Sequence, residues 1–192
     1  MPGDVTTTES HRRWRASALP PLRGVVLDLG AGSGIAADHL ADGVEWLALE
    51  PRVRVEPALR ARLDRRPGAR LLTAPAEAVP LGAGTVDAVI ASTVLCSVRH
   101  PDQALAEVRR VLRPGGVLVF FEHVAAERGT WTSALQAAYA PISRLIDRGC
   151  DPHRDTAASI RAAGFVTVEV RRMQAPGVLG TIEPLIEGVA VA

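Results

Sequence analysis

The chain has 192 residues, of which 47% are hydrophobic and 22% are charged, and its net charge of +1 leaves no basic surplus for binding nucleic acid. This composition excludes a disordered chain and suits one domain with a sizeable core. The two cysteines, Cys96 and Cys150, lack metal-ligand spacing, and no apolar stretch reaches the roughly 18 residues of a membrane span. We expect a cytoplasmic protein with no metal, no nucleic-acid partner and no membrane attachment, and leave its oligomeric state open.

Residues 1–23 are polar, then rich in arginine, then rich in proline, and they predict an N-terminal arm with a short helix over 9–19. Two interpretations of this arm are open: a lid over the residues that follow, or a partly ordered tail. Within it, we expect His11 at the surface, whereas Trp14 could close a pocket. Residues 24–192 are predicted to form one domain.

Apolar, strand-like runs alternate with helical patterns through this domain. The predicted strands cover 25–29, 44–49, 70–73, 86–91, 117–121, 165–170 and 188–192, and the predicted helices cover 34–42, 53–66, 102–112 and 155–163. Another helical spacing over 130–148 contains Pro141, which should kink or split it. Alternating strands and helices indicate βαβ units, so the predicted fold class is α/β, doubly wound, with a mostly parallel sheet.

Ligands of such sheets bind where the parallel strands end, because the carboxyl ends of these strands meet along one edge. The residues that directly follow the predicted strands are therefore the first candidates for function. They are Gly30 to Gly34, Glu50, Ser92, Thr93, Glu122 and His123.

Three glycines, Gly30, Gly32 and Gly34, follow the first strand at a spacing of two. A dinucleotide fingerprint would have its third glycine at Ile35, and a P-loop would continue with Lys and Ser or Thr, so this turn does not predict pyrophosphate binding. Close approach of a nucleoside to bare backbone fits better, although a tight connection without a ligand is the alternative. Glu50 lies 20 residues after Gly30, where a carboxylate can accept hydrogen bonds from both ribose hydroxyls.

Several segments together resemble the class I S-adenosylmethionine-dependent methyltransferases. They are the run from Asp28 to Gly34, the acid Glu50, the loop residues 76–81 and 84–89, and the segment 108–116. This resemblance covers roughly residues 22–192. It implies a Rossmann-like sheet of seven strands with an antiparallel last strand, and S-adenosylmethionine as cofactor. The residues that it implies for cofactor binding are Asp28, Gly30, Ala31, Gly32, Gly34, Glu50, Pro51, Ala76, Glu77 and Ser92.

The chain departs from this family pattern at Pro75, where many members have an Asp that accepts from the adenine amino group. Adenine recognition is then expected from the backbone of Ala76 or Glu77, or from the Glu77 carboxylate. Asp28 is expected to contact an amine of the ligand, directly or through water.

A narrower resemblance involves 94–98, 109–116, 122–127, 130–131, 147–150 and 174–176, which look like the eukaryotic methyltransferase-like group that methylates alkyl thiols. Those relatives carry a hydrophobic N-terminal membrane anchor, which is not carried over to this chain. The resemblance implies a small-molecule acceptor, with a thiol as the preferred hypothesis.

A thiol has a pKa near 8.5, so a histidine suffices as base, and His123 is the candidate base or orienting residue. Glu122 either orients His123 or is a surface acid. Cys96 is a buried pocket wall or a reactive thiol. Further substrate-pocket candidates are Trp131, Tyr139 and His153.

Three other functions are left open by the sequence. The acceptor atom could be oxygen or carbon in a small metabolite or natural product. The protein could bind S-adenosylmethionine without catalysis. A nicotinamide-dependent dehydrogenase is disfavoured because Ile35 occupies the third glycine position.

Overall fold

The computed structural model describes residues 7–126, 129–130, 133, 151, 154–176 and 182–192. Within these residues, a mixed sheet has the strand order β3-β2-β1-β4-β5-β7-β6. Its strands are β1 (Val25–Leu29), β2 (Glu45–Leu49), β3 (Arg70–Leu72), β4 (Val86–Ser92), β5 (Leu112–His123), β6 (Thr167–Pro176) and β7 (Ile182–Val191). Strands β1 to β5 pair in parallel, whereas β7 pairs antiparallel with both β5 and β6. The predicted α/β class and the antiparallel last strand are confirmed.

The helices among the described residues are α1 (Thr7–Ala18), α2 (Pro57–Arg65), α3 (Pro101–Val111) and α4 (Thr156–Ala162), together with a 3₁₀ helix, Ile35–His39. Successive strand residues point to opposite faces of the sheet, so each strand contributes to two separate cores. One core contains apolar residues of α1, the 3₁₀ helix and α2, and the other contains those of α3 and α4. The sheet is therefore covered on both faces, as its near-continuous apolar strands predict.

The N-terminal helix α1 packs on the sheet through Trp14, which is 4% exposed, and the chain that follows it inserts Leu19, which is 0% exposed. The Thr7 hydroxyl donates a hydrogen bond to the Glu183 carboxylate on β7. Over the described residues, the arm is thus a helix packed on the sheet. Its role as a lid stays a prediction.

Several predicted elements differ in extent: α2 begins at Pro57 and not at residue 53, β5 begins at Leu112 and not at 117, and β6 covers Thr167–Pro176 and not 165–170. The helix predicted over 34–42 is only the short 3₁₀ helix, because the chain is extended again at Leu40 (φ −77°, ψ 141°) before it enters β2. The last strand is longer than the predicted 188–192, although Pro184 and Gly188 lie in it. Pro184 lies beyond the end of the β5 pairing, and a Cβ at Gly188 would come within 2.0 Å of the Glu169 carbonyl oxygen.

The helical segment predicted over 130–148 lies outside the described residues, apart from Thr130 and Ser133. Within the described ranges, no helix is long and apolar enough to cross a membrane.

Candidate active site

The carboxyl ends of β1, β2, β4 and β5 open into one cavity of about 1300 Å³, which α1 also lines. This is the edge at which the strand order predicts a ligand. The residues lining the cavity include Asp28, Gly30, Ala31, Gly32, Glu50, Pro51, Ala76, Glu77, Ser92, Cys96 and His123. Gly34 is buried next to this cavity and forms the start of the 3₁₀ helix.

The glycine turn has a backbone that only glycine adopts readily, with φ of 65° at Gly30, 58° at Gly32 and 77° at Gly34. A Cβ at Gly30 would lie 2.6 Å from Val94 Cγ2, and one at Gly34 would lie 2.8 Å from Leu59 Cδ1. Side chains are thus excluded by both conformation and space. The bare backbone of this turn forms the floor of the cavity.

Glu50 at the end of β2 is fixed against this turn. It is 4% exposed, its Oε2 accepts from the Gly32 N–H at 3.2 Å, and its Oε1 accepts from Arg52 Nε at 2.7 Å. The carboxylate therefore keeps one orientation at the cavity wall, as the recognition of two ribose hydroxyls requires.

Asp28 lies on β1, 3% exposed, and its Oδ2 accepts from Trp46 Nε1 at 3.3 Å. Burial raises the pKa of Asp28 to about 7, against the opposing effect of the Trp46 hydrogen bond, and the charge of Glu50 raises it further. A cationic group bound beside Asp28 would favour its ionised form. The position suits the amine that the sequence pattern assigns to it.

The loop that is expected to hold adenine also borders the cavity. Ala76 is buried, and the Glu77 Oε1 accepts from the His100 N–H at 2.9 Å, which ties residue 77 to the segment before α3. Pro75 lines the cavity beside them. One Glu77 oxygen is therefore already used by the protein, which favours the backbone of this loop for ring recognition.

His11 is not at the surface, contrary to the sequence prediction. Its ring stacks on Phe121 with centroids 4.5 Å apart and an angle of 4° between planes, and its Nε2 lies 2.5 Å from the Ser92 hydroxyl oxygen. Burial, followed by the charges of Arg15 and His123, lowers the pKa of His11 to about 3, so the ring is neutral. The prediction failed because only the packing of α1 on the sheet brings His11 to Ser92.

Arg15 at the cavity escaped the sequence analysis, and so did the backbone conformation of Thr93. Arg15 follows His11 by one helical turn and lines the cavity. Thr93 was noted at the sheet edge, but its positive φ of 54° gave no sequence signal. Its N–H donates to the Phe121 carbonyl at 2.8 Å, which holds the chain in this costly conformation between β4 and the loop that follows.

Glu122 is neither a surface acid nor hydrogen-bonded to His123 within the described contacts. It is 0% exposed and accepts the backbone N–H groups of Val94 at 2.9 Å, Leu95 at 3.0 Å and Cys96 at 3.2 Å. Burial raises its pKa, against the effect of these three bonds. Neighbouring residues of a strand face opposite sides, so Glu122 shapes the loop after β4 while His123 faces the cavity.

His123 has an Nδ1 that is buried and without a hydrogen-bond partner among the described residues. Burial acts to lower the pKa of His123, but the hydrogen bond and charge of Cys96 outweigh it, and Glu183 and Glu122 add to the net increase. Cys96 is 1% exposed and also lines the cavity, with its Sγ 3.6 Å from the Ser97 hydroxyl oxygen. The structure thus brings together an imidazole and a thiol in the wall of the cavity.

The remaining substrate-pocket candidates, Trp131, Tyr139 and His153, lie outside the described residues. Among the described residues no cluster of His, Cys, Asp or Glu could hold a metal ion.

Comparison with known proteins identifies the class. A family model described as a methyltransferase domain matches residues 27–120, which span β1 to β5. The human thiol S-methyltransferase TMT1B is 34% identical over 95% of this chain and 79% of its own length. A demethylmenaquinone methyltransferase of Renibacterium salmoninarum is 33% identical over 83% of this chain and 70% of its own length.

Solved structures share the fold at lower identity. A SAM-dependent methyltransferase from Thermotoga maritima has a TM-score of 0.68 and 22% identity, and the match covers 95% of this chain and 87% of that one. The [4+2]-cyclase SpnF has a TM-score of 0.70 and 20% identity, with 95% and 81% covered. A cyclase among the neighbours means that the fold alone does not define the reaction.

The sequence relatives and the family model do define the class. The chain belongs to the S-adenosylmethionine-dependent methyltransferases, and it is similar along nearly all its length to thiol S-methyltransferases. S-adenosylmethionine is its cofactor, and the residues present fit that molecule. The glycine turn presents bare backbone to the cavity, Glu50 is fixed at the expected ribose position, and Asp28 is a buried acid with a raised pKa at the expected amine position.

Proposed function

We propose that this methyltransferase transfers the methyl group of S-adenosylmethionine to the sulfur of a small thiol. The observation that carries the proposal is that His123 lines the same cavity as the glycine turn and that its Nδ1 has no hydrogen-bond partner among the described residues. The similarity to TMT1B, named a thiol S-methyltransferase, supports the choice of acceptor.

The bound cofactor supplies a methyl group that the positive charge on its sulfur has already activated. Glu50, Asp28 and the glycine turn hold this donor in one place, which removes most of the orientational entropy from an in-line displacement. His123 takes the proton of the acceptor thiol while the acceptor sulfur bonds to the methyl carbon. The electron pair of the broken carbon–sulfur bond stays on the donor sulfur, and the His123 proton passes to water.

A base of moderate strength is sufficient for this acceptor. A thiol has a pKa of about 8.5, and a histidine whose pKa is raised comes closer to that value, which favours the proton transfer. A hydroxyl acceptor is far less acidic and would need a stronger base. The raised pKa of His123 therefore favours a sulfur acceptor over an oxygen acceptor.

Methylation of carbon or oxygen is the second candidate, favoured by the similarity to a demethylmenaquinone methyltransferase. The two candidates are separated by incubating the purified protein with S-adenosylmethionine and matched acceptors, an alkyl thiol series and a phenol series, and by identifying products by mass spectrometry. We expect S-methylated products. Methylation of phenols or ring carbons alone would contradict the thiol proposal, and cofactor binding without any product would indicate a binding protein.

A further inference from the structure

Arg15 is an arginine in an environment that disfavours its charge. It is 8% exposed, and its Nε has no hydrogen-bond partner among the described residues. Arg12 and Arg13 on the same helix are more than 60% exposed and pair with Glu9. Burial of an unpaired guanidinium is unfavourable, so the packing of Arg15 alone does not explain its position.

The side chain of Arg15 faces ligand space. It lines the cavity and lies one helical turn after His11, on the same face of α1, while His11 contacts Ser92 at the end of β4. The charge of Arg15 lowers the pKa of His11 and also that of His39, the last residue of the 3₁₀ helix. The side chain of Arg15 on α1 is therefore close to the 3₁₀ helix that follows the glycine turn.

The other described arginines of the cavity are paired or exposed, and the neighbouring histidine on α1 is neutral. Arg52 donates to Glu50 at 2.7 Å, His11 is neutral, and Arg99 is exposed to solvent. Among the described residues, Arg15 is thus a buried cation without an anion, and Asp28, in the same cavity, is a buried acid without a cation. A ligand group with both charges, such as the end of an amino acid, would complement the two residues together.

We propose that Arg15 binds the α-carboxylate of S-adenosylmethionine, while Asp28 receives its α-ammonium group. A guanidinium matches a carboxylate through two parallel N–H···O bonds, which makes Arg better suited to this role than Lys. The inference rests on the cofactor assignment made above. It makes α1 part of the donor site, because His11 and Arg15 line the same cavity as the glycine turn.

The test uses binding to the purified full chain, measured by isothermal titration calorimetry. The ligands are S-adenosylhomocysteine, its decarboxylated analogue and 5′-methylthioadenosine, which lacks the whole amino-acid end. In Arg15→Met we expect S-adenosylhomocysteine to bind roughly 10- to 100-fold more weakly, the range for a lost charged hydrogen bond, with the other two ligands unchanged. Arg15→Lys should recover part of the loss, and Arg13→Met, on the exposed face of α1, should bind all three ligands like the unmodified chain.

A structural role for Arg15 predicts different results. Equal weakening of all three ligands in Arg15→Met, or unchanged binding of S-adenosylhomocysteine, would overturn the proposal. If the unmodified chain bound neither S-adenosylhomocysteine nor 5′-methylthioadenosine, the cofactor assignment would be wrong as well as the role of Arg15. The free Arg15→Met protein should also be the more heat-stable one, by roughly 2–4 °C, because an unpaired buried charge is removed.

Discussion

Asp28 and Glu122 are both buried carboxyl groups with raised pKa values, but they differ in the hydrogen bonds that the protein donates to them. Glu122 accepts three backbone N–H groups of the loop after β4. Asp28 accepts one bond, from Trp46 at 3.3 Å, and lines the cavity. A buried acid whose partners are all supplied by the protein shapes the structure, whereas a partly satisfied acid at a cavity is available to a ligand.

The largest expected effect is on stability, in Glu122→Gln. The amide keeps one accepting oxygen but places a donor against the Cys96 N–H, and the charge is lost. We expect the free energy of unfolding to fall by about 2–3 kcal/mol, the range for charged, buried hydrogen bonds. Urea unfolding measures it. A stable Glu122→Gln protein that has lost only activity would show that Glu122 acts in the chemistry instead.

His123→Gln, at the neighbouring position of β5, should lower the activity and leave the stability nearly unchanged. With its base removed, we expect kcat to fall by about 100-fold, with little change in urea unfolding. In the unmodified enzyme, kcat/KM for a thiol should rise with pH through a value above 6.5, because neutral His123 is the active form and its pKa is raised. A rise that persists unchanged in His123→Gln would assign it to another group.

Asp28→Asn tests the other half of the comparison. The carbonyl oxygen of Asn can still accept from Trp46, so we expect the stability of the free protein to be unchanged or higher. Binding of S-adenosylhomocysteine should weaken by roughly 10- to 30-fold, because the ammonium loses a charged partner. Loss of stability on the scale of Glu122→Gln would remove the distinction between the two acids.

The smallest expected effect is the pH dependence of cofactor binding. Asp28 has a pKa of about 7 in the free protein, and its ionised form binds the ammonium group. Affinity should therefore rise by about tenfold between pH 6 and 8, with proton release on binding. Calorimetry in buffers of different ionisation enthalpy measures the released proton, and Asp28→Asn should show none from this site.

The raised pKa of Asp28 also determines how the stability of the free protein changes with pH. The protonated carboxyl stabilises the free protein, and this contribution is fully present below the unfolded value of about 3.9 and is lost as the pH rises through about 7. Relative to Asp28→Asn, the unmodified protein should lose stability over this range. A flat difference between the two proteins would show that Asp28 is ionised throughout.

The strand–turn–helix segment from β1 to Glu50 could be predicted from sequence because its signals are local. Apolar runs, glycine spacing and an acid at a strand end each follow from neighbouring residues. The orientation of Glu122 was also within reach, since the alternation of β5 places it with Phe120 and opposite His123. The position of His11 was not, because its contacts are Ser92 and Phe121, 81 and 110 positions away in the chain.

The sequence by itself thus determined the α/β class, the glycine turn and the donor-side acids, since backbone conformation and side-chain period decide these within a few residues. Only the tertiary structure decided that α1 packs over the carboxyl edge, that Glu122 accepts the N–H groups of a loop, and that the Arg15 Nε has no hydrogen-bond partner among the described residues. These features depend on contacts between residues that are far apart in the chain. A helix can pack on several apolar surfaces, and the surface that it covers is fixed only when the sheet has formed.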